Sequence, residues 1–384
     1  MKVLYLSAWY PHRYDAMSGL FVRKHAEAAS LFCDVCVLYL MADEHVNRFD
    51  IVEQSTNSVR EVYVYYPFAK MPVLRQLTKA VGYVRAFWRG FAVVRRTFGL
   101  PDVVQANVLT RSGVLAHRLK RKFGIPYIIV EHWTRYLPQN LNYKGFLRKK
   151  LTEKCVAEAS AVLPVSNMLC NAMQNCGLHN SNFGLIDNVV DDFFYKSQKS
   201  GAEYRFRFLH ISCFEETHKN VKGLLNATKM LLRQRADFEL VLVGVGQDWQ
   251  AVVQYAKELE LPDNIVRFVG EQTPEDVCRY FAESDALVMF SNYENAPVVI
   301  SESLATGTPV ISTNVGGIPD MVNEQCGILI NPGNESALCE KMSWMIDNVA
   351  VFDAAEIRKS AQRYTYENVG KRLFENYNAA AKKS

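Results

Sequence analysis

Two carboxylates eight residues apart, Glu294 and Glu302, lie in the run SNYENAPVVISESLATGTPVISTNVGG, Ser291 to Gly317. The residues around them suit an anionic ligand. An apolar run ending at Ser291 reads as a strand, and a polar loop, Asn292 to Asn295, follows. Pro297 then stands at the first helical position, where its missing N–H costs nothing. The helix is expected to run to about Thr306 and to stop at Gly307, with Thr308–Pro309 barring continuation. A second strand, Pro309 to Asn314, leads into the Gly316–Gly317 pair. This layout sets free N–H groups and the positive end of a helix dipole at the carboxyl edge of a sheet, where α/β folds place anions. Glu302 falls roughly 7–8 Å along the helix axis from Pro297, about the span of a diphosphate. One acid can therefore hold a sugar while the other holds a ribose. Two acids at this spacing are ordinarily solvated surface groups; the proline start, glycine stop and glycine pair make this set less ordinary.

The elements that must position these residues follow from composition and pattern. A chain of 384 residues is too long for one ordinary core and comfortable for two domains. Its 49% hydrophobic and 22% charged content describes a soluble globular protein. No apolar run approaches the roughly 20 residues that span a bilayer. The opening MKVLYLSAWYP superficially resembles a signal peptide. Its apolar run is short and meets Pro11, His12 and Arg13, so a first strand is the better reading. Nine scattered cysteines without an export signal fit a reducing cytoplasm. Cys33 and Cys36 form a lone C-x2-C inside a strand-like segment and read as buried thiols rather than metal ligands.

The first half alternates strand-like and helix-like segments, as a parallel sheet flanked by helices should. Its expected strands are Lys2–Trp9, Asp34–Leu40, Arg60–Tyr66, Asp102–Ala106, Pro126–Glu131, Ala161–Val165 and Gly184–Ile186. The second half repeats the pattern with Phe206–Ile211, Phe238–Val243, Ile265–Val269, Ala286–Phe290, Pro309–Thr313 and Gly327–Ile330. The polar stretch Asn188–Ser200 is expected to link two domains, 1–188 and 201–366. The charge divides at the same place. Residues 1–190 carry 24 Lys and Arg against 13 Asp and Glu, whereas the remainder carries 20 against 27.

The runs E-x7-E, ATGTPVIST and NVGGIPDMV together resemble the donor-binding signature of the family 4 retaining glycosyltransferases, which have the GT-B fold. The resemblance is close over 291–330, good over the rest of the second half and diffuse over the first. It implies two doubly wound Rossmann-like domains facing across a cleft, with a closing helix, about 367–384, returning to the first. It also implies that Glu294 contacts donor-sugar hydroxyls and that Glu302 binds the nucleotide ribose. Asn295, Ala296, Pro297, Val298 and Val299 become candidate donor-binding residues. In the segment HISCFEETHKNVKGLLNATKML, Lys219–Asn220 aligns with the family's phosphate-binding Lys-Gly. A lysine there would offset phosphate charge as the glycosidic bond breaks, against the plain alternative of a surface lysine. The family's Arg has no counterpart, because Phe214 stands at its place; either Lys222 or a residue elsewhere compensates, or the phosphates are held differently.

Three further positions carry both a functional and a structural reading. Gly246, in Gly244-Val245-Gly246, suits a tight turn bordering the nucleotide, since Trp249 replaces the third glycine of a dinucleotide fingerprint. His132 follows an expected strand and, by resemblance, lies near the transferred sugar; alternatively it is a satisfied structural histidine. Gly19 resembles a first-loop residue that lets backbone approach donor phosphate, or is an ordinary helix start. The resemblance implies no metal and no cofactor beyond the nucleotide-sugar co-substrate, and no Asp-x-Asp occurs.

Residues 68–98 mix seven Lys and Arg with aromatic and aliphatic residues and contain no acid. Arg118–Lys122 and Lys144–Lys154 add further positive charge. Such segments suit an anionic membrane surface; nucleic acid is disfavoured, because no recognition motif accompanies them. The expectation is a cytoplasmic, peripherally membrane-bound, metal-independent enzyme. It would move a hexose or N-acetylhexosamine from a nucleotide sugar, UDP favoured over GDP, to a lipid-linked glycan acceptor. Rival readings are a nucleotide-sugar epimerase or hydrolase on the same fold, and a non-catalytic sugar-nucleotide-binding protein.

Overall fold

The runs Val3–Leu6, Val35–Leu38, Leu240–Val243 and Ala286–Met289 are apolar at every position and almost completely buried. Strands covered by helices on both faces need this unbroken pattern. The computed structural model describes residues 1–137, 140, 143–199 and 205–382. Its contacts divide the chain into two units, Met1–Val189 with Tyr366–Ser384, and Val190–Thr365.

The first unit is built on seven strands: β1 Lys2–Ser7, β2 Asp34–Ala42, β3 Asp50–Thr56, β4 Val59–Tyr66, β5 Val103–Asn107, β6 Tyr127–Glu131 and β7 Ala161–Pro164. Their order is β3-β4-β2-β1-β5-β6-β7. All pairs are parallel except β3 with β4, an antiparallel hairpin at the edge. Two expectations are corrected here. The segment Gly184–Ile186 does not form a regular strand; it runs beside β7 through one bridge, Val162 to Phe183, with the Gly184 and Ile186 N–H donating to the Val162 and Pro164 carbonyls. The seventh strand is instead β3. The final helix, Tyr366–Lys382, lies against the helix Leu20–Ser30, and a Cβ on Gly370 would overlap the Ala28 carbonyl. Tyr377 bridges Tyr5, 2.7 Å away, and Gln105, 2.6 Å away, inside the core.

The second unit has six parallel strands in the order β10-β9-β8-β11-β12-β13. They are β8 Phe206–Ile211, β9 Phe238–Val243, β10 Val266–Gly270, β11 Ala286–Met289, β12 Val310–Thr313 and β13 Gly327–Ile330. The expected linker also departs from its reading. Asp192–Tyr195 forms a helical turn, and Val190 and Phe194 are fully buried with Leu209, Val241 and Phe281. Ser200 lies outside the described residues.

Both sheets wind outward from their centre. In the first, the chain leaves β1 toward β2 on one side and resumes at β5 on the other; in the second the same reversal separates β8 from β11. Each reversal opens a crevice beyond the carboxyl ends of two adjacent strands, the usual ligand position in such sheets.

Candidate functional site

In the second unit, the loop after β8 and the loop after β11 meet at the reversal. Lys219 ends a one-turn helix, Glu216–Lys219, and Glu294 stands in the loop after β11. The Lys219 Nζ donates to Glu294 Oε1 at 2.6 Å, and Ser291 Oγ donates to the same oxygen at 2.8 Å. The side chains are only 17% and 8% exposed. Two residues singled out separately from the sequence are thus one ion pair.

The pair is held by backbone. Asn292 N–H donates to the His218 carbonyl at 2.8 Å, and Thr313 Oγ1 donates to the Ser291 carbonyl at 2.6 Å. Gly316 has φ +63°, and a Cβ there would overlap the Glu294 carbonyl. Glu294 is therefore gripped between the loops after β8 and β12. Asn220 has φ 48°, the left-handed conformation that a glycine adopts most readily. That explains how an asparagine serves where the Lys-Gly pattern asks for glycine.

The helix carrying Glu302 is Val298–Ala305, with Pro297 at its N-cap in extended conformation rather than in the first turn. The correction is one residue and leaves the physics intact: the first-turn N–H groups, including Val298 and Val299, have no intrahelical acceptor. Asn295 to Val299 and Glu302 are half-buried, so ligand can reach them. The helix ends as expected, with Gly307 at φ +73° and the Thr308 N–H returning to the Ser303 carbonyl at 2.9 Å.

Gly246 lines the neighbouring loop. A Cβ on it would overlap the Cys213 carbonyl, and one on Gly244 the Ser212 carbonyl. The loops after β8 and β9 can approach this closely only through glycine. Phe214 is fully buried at φ 44°, its ring edge-on to Trp249 at 4.7 Å. The position of the missing Arg thus faces the core. Lys222, the residue offered to compensate, turns its Nζ toward the Tyr255 ring, 5.2 Å from the centroid. Glu216 occupies the next helix N-terminus, accepting from the N–H of Val221 and Lys222 at 3.0 Å each. An anionic ligand is left the Val298 terminus and Lys219.

Sequence reasoning missed His210, which secures the loop after β8. Its Nδ1–H donates to the Val288 carbonyl at 2.9 Å, and its Nε2 accepts from Ser212 Oγ, also 2.9 Å. Ser212 Oγ in turn accepts the Phe214 N–H. Burial holds the imidazole down to about 4, against 6.5 when free. A depressed histidine contributes stability that is present above its unfolded pKa and lost as pH falls through the folded one. We expect thermal stability to drop between pH 6.5 and 4, by up to about 3 kcal/mol from this group. Melting curves of His210→Gln beside the parent should show a shallower acid loss; parallel curves would refute the assignment.

In the first unit, His132 is buried, with its ring centroid 4.2 Å from Phe21 and 5.4 Å from His25. Burial, with His25 beside it, holds it well below the usual histidine range, so it is neutral. Glu131 fixes the surrounding backbone by accepting from Leu109, His132 and Trp133 N–H at 2.8–3.0 Å. Burial raises that carboxyl to about 7, the three N–H groups and Arg135 opposing. Gly19 caps the helix Leu20–Ser30 at φ 61°, and a Cβ there would overlap Trp9 backbone. The Glu294–Lys219 site and the His132–Gly19 region thus belong to different units. Among the described residues, no group of three His, Cys, Asp or Glu is placed to hold a metal ion.

Comparison with known proteins gives two family matches. Residues 194–367 match the group 1 glycosyl transferases, and residues 29–192 match glycosyltransferase family 4. The chain is 30% identical to D-inositol 3-phosphate glycosyltransferase of Corynebacterium urealyticum, covering 82% of this chain and 78% of that one. It is 27% identical to N-acetyl-alpha-D-glucosaminyl L-malate synthase of Bacillus anthracis, over 58% of this chain and only 55% of that enzyme. Lipopolysaccharide 1,6-galactosyltransferase of Escherichia coli K12 shares 29% identity over 45% and 48% of the two chains. Among solved structures, Anabaena HepE in complex with UDP superposes with a TM-score of 0.74 at 18% identity, covering 99% and 100%.

Proposed function

The chain belongs to the group 1, family 4 glycosyltransferases, and on that premise we propose that it is a retaining, metal-independent enzyme taking its sugar from a UDP donor. The second unit would hold the donor and the first the acceptor. The observation that carries the reading is the Lys219–Glu294 pair at the β8–β11 reversal, beside the Val298 helix terminus. HepE, which shares the fold, is solved in complex with UDP, and that favours uridine for this chain.

The chemistry asks little beyond placement. Glu302 would hold the ribose, and Glu294 the sugar hydroxyls. Lys219, with the N–H groups of Val298 and Val299, would draw charge from the diphosphate as the bond from its oxygen to the sugar carbon breaks. The acceptor hydroxyl forms the new bond on the same face and passes its proton to the departing phosphate oxygen. No enzymic nucleophile is needed. A glycan acceptor, lipid-linked and at the inner membrane face, fits the basic first unit, and lipopolysaccharide synthesis by one relative supports cell-surface polysaccharide as the product. No helix among the described residues is long and apolar enough to cross a membrane.

Thermal unfolding against UDP, GDP and their sugars tests the donor. Ligand at a hundredfold excess over Kd stabilises by about 2.7 kcal/mol, enough to raise Tm by about 5–10 °C in a domain of this size. UDP compounds should give that shift, EDTA should leave it unchanged, and Glu302→Ala should abolish most of it. A GDP-only response would overturn uridine, a shift lost to EDTA would overturn metal independence, and none with any nucleotide would remove the donor site.

A further inference from the structure

The crevice at the β1–β5 reversal of the first unit is a cavity of about 800 Å³. Its floor is the carboxyl edge of the sheet: Ala8 beyond β1, Tyr39–Ala42 at the end of β2, Tyr66 ending β4, and Thr110 beyond β5. Four cations line it, Lys79, Arg111, Arg118 and Arg148, and no Asp or Glu does. None of the four is joined to a carboxylate among the described residues. Positive charge gathered without counter-charge in a concave, partly apolar wall is a site for an anion. Val108, just upstream, is fully buried at φ 59°. A β-branched residue seldom takes that conformation, and such strain gathers at binding sites.

Two helices wall the crevice and mix charge with apolar surface. The helix Pro72–Thr97 supplies Gln76, Lys79 and Tyr83, and the helix Phe146–Ala157 supplies Leu147, Arg148 and Leu151. Both helices begin with apolar side chains left in solvent: Val73 is 88% exposed, Leu77 61%, Phe146 77% and Leu147 71%. Farther along, the first helix turns Ala86, Phe87, Phe91 and Val94 into the core, so its exposed apolar part is its start. Two apolar helix starts flanking a basic pocket make an amphiphilic entrance, with cations within and hydrocarbon-compatible groups at the rim.

We propose that this crevice receives the phosphate or diphosphate of a lipid-linked acceptor, its hydrocarbon chain leaving between the two apolar helix starts toward the membrane. The inference rests on the transferase reading above and adds the acceptor's phosphate group and the crevice that seats it. Arg111 and Arg148, which can each grip an anion with two N–H groups, contact the phosphate oxygens. Val73, Leu77, Phe146 and Leu147 meet the bilayer surface.

Flotation of the full chain with phosphatidylcholine vesicles carrying a polyprenyl phosphate tests this, beside vesicles matched in charge with phosphatidylglycerol. The chain should float with the polyprenyl phosphate vesicles in preference. Arg111→Ala with Arg148→Ala should weaken that binding about tenfold or more, and Leu77→Glu with Phe146→Glu should abolish flotation. Should the double arginine variant misfold, Arg118→Ala alone should still show a measurable loss. Equal binding to both vesicle types, or an arginine variant that binds like the parent, overturns the proposal. So does full displacement by millimolar inorganic phosphate, which would mark a site for the free ion. The nucleotide-dependent Tm shift is recorded on the same samples. A shift retained without selective flotation sinks the acceptor seat alone; a parent chain with no shift sinks the transferase reading.

Discussion

Lys219→Ala should lower turnover about a hundredfold to a thousandfold while the protein stays folded. The magnitude is that of removing one preorganised charge donor from a developing oxyanion. Two separate losses contribute. On the proposed role the departing diphosphate loses a charge partner, and Glu294, 8% exposed and 2.6 Å from that lysine, loses its counter-ion. An uncompensated buried carboxylate costs about 3 kcal/mol, so Tm must be measured beside kcat. A double-mutant cycle separates the two. If Lys219 acted only by holding Glu294, then in a Glu294→Gln background its removal would cost almost nothing. We expect instead that Lys219→Ala still lowers kcat at least tenfold there, because the proposed phosphate contact would be independent of the carboxylate. Turnover above half the parent value in Lys219→Ala would remove the residue from the mechanism.

That pair also shows where sequence reading reaches and where it stops. Glu294 is legible, because a proline, a helix stop and a glycine pair surround it within one stretch. Lys219 is legible only through resemblance, and its bond to Glu294 spans 75 positions. Nothing in local pattern predicts a contact made by the winding of a sheet. His210 was invisible for a related reason. Between two apolar neighbours it looks like any strand residue, and only the Val288 carbonyl and Ser212 hydroxyl reveal its task.

The strands divide in the same way. The expected bounds of β8, β9 and β13 agree with the observed ones, since buried parallel strands are short apolar runs between polar turns. β3, DIVEQST, was missed because five of its seven residues are exposed and no face is buried enough to impose alternation. What makes it a strand is pairing with β4 through a turn in which Asn57 and Ser58 take φ 46° and 67°. Such residues suit a two-residue hairpin turn, but without glycine the signal is weak. The supposed linker contains the division between the units, but its average polarity hides Phe194, whose ring is fully buried.

The second large effect concerns Gly316. Gly316→Ala should cost about 2–4 kcal/mol and silence the enzyme. About 1 kcal/mol or more comes from placing an L side chain at φ +63°. The rest comes from the overlap with the Glu294 carbonyl, since packed backbone yields only at about 1–3 kcal/mol. The direction of yielding matters more than its cost. The Glu294 backbone must retreat from the loop after β12, drawing its carboxylate off Ser291 and Lys219, and a misplacement near 1 Å can cost about a hundredfold in rate. Gly333 supplies the control: φ is +70° there too, yet nothing lies within 4 Å of a built Cβ. Gly333→Ala should therefore show the conformational cost alone, about 1 kcal/mol, with turnover unchanged. Activity falling equally in both variants would mean that backbone strain, rather than displacement of Glu294, is what the enzyme cannot tolerate. Selective loss in Gly316→Ala, recovered in part by no second substitution at Lys219, would place the requirement at the carboxylate itself.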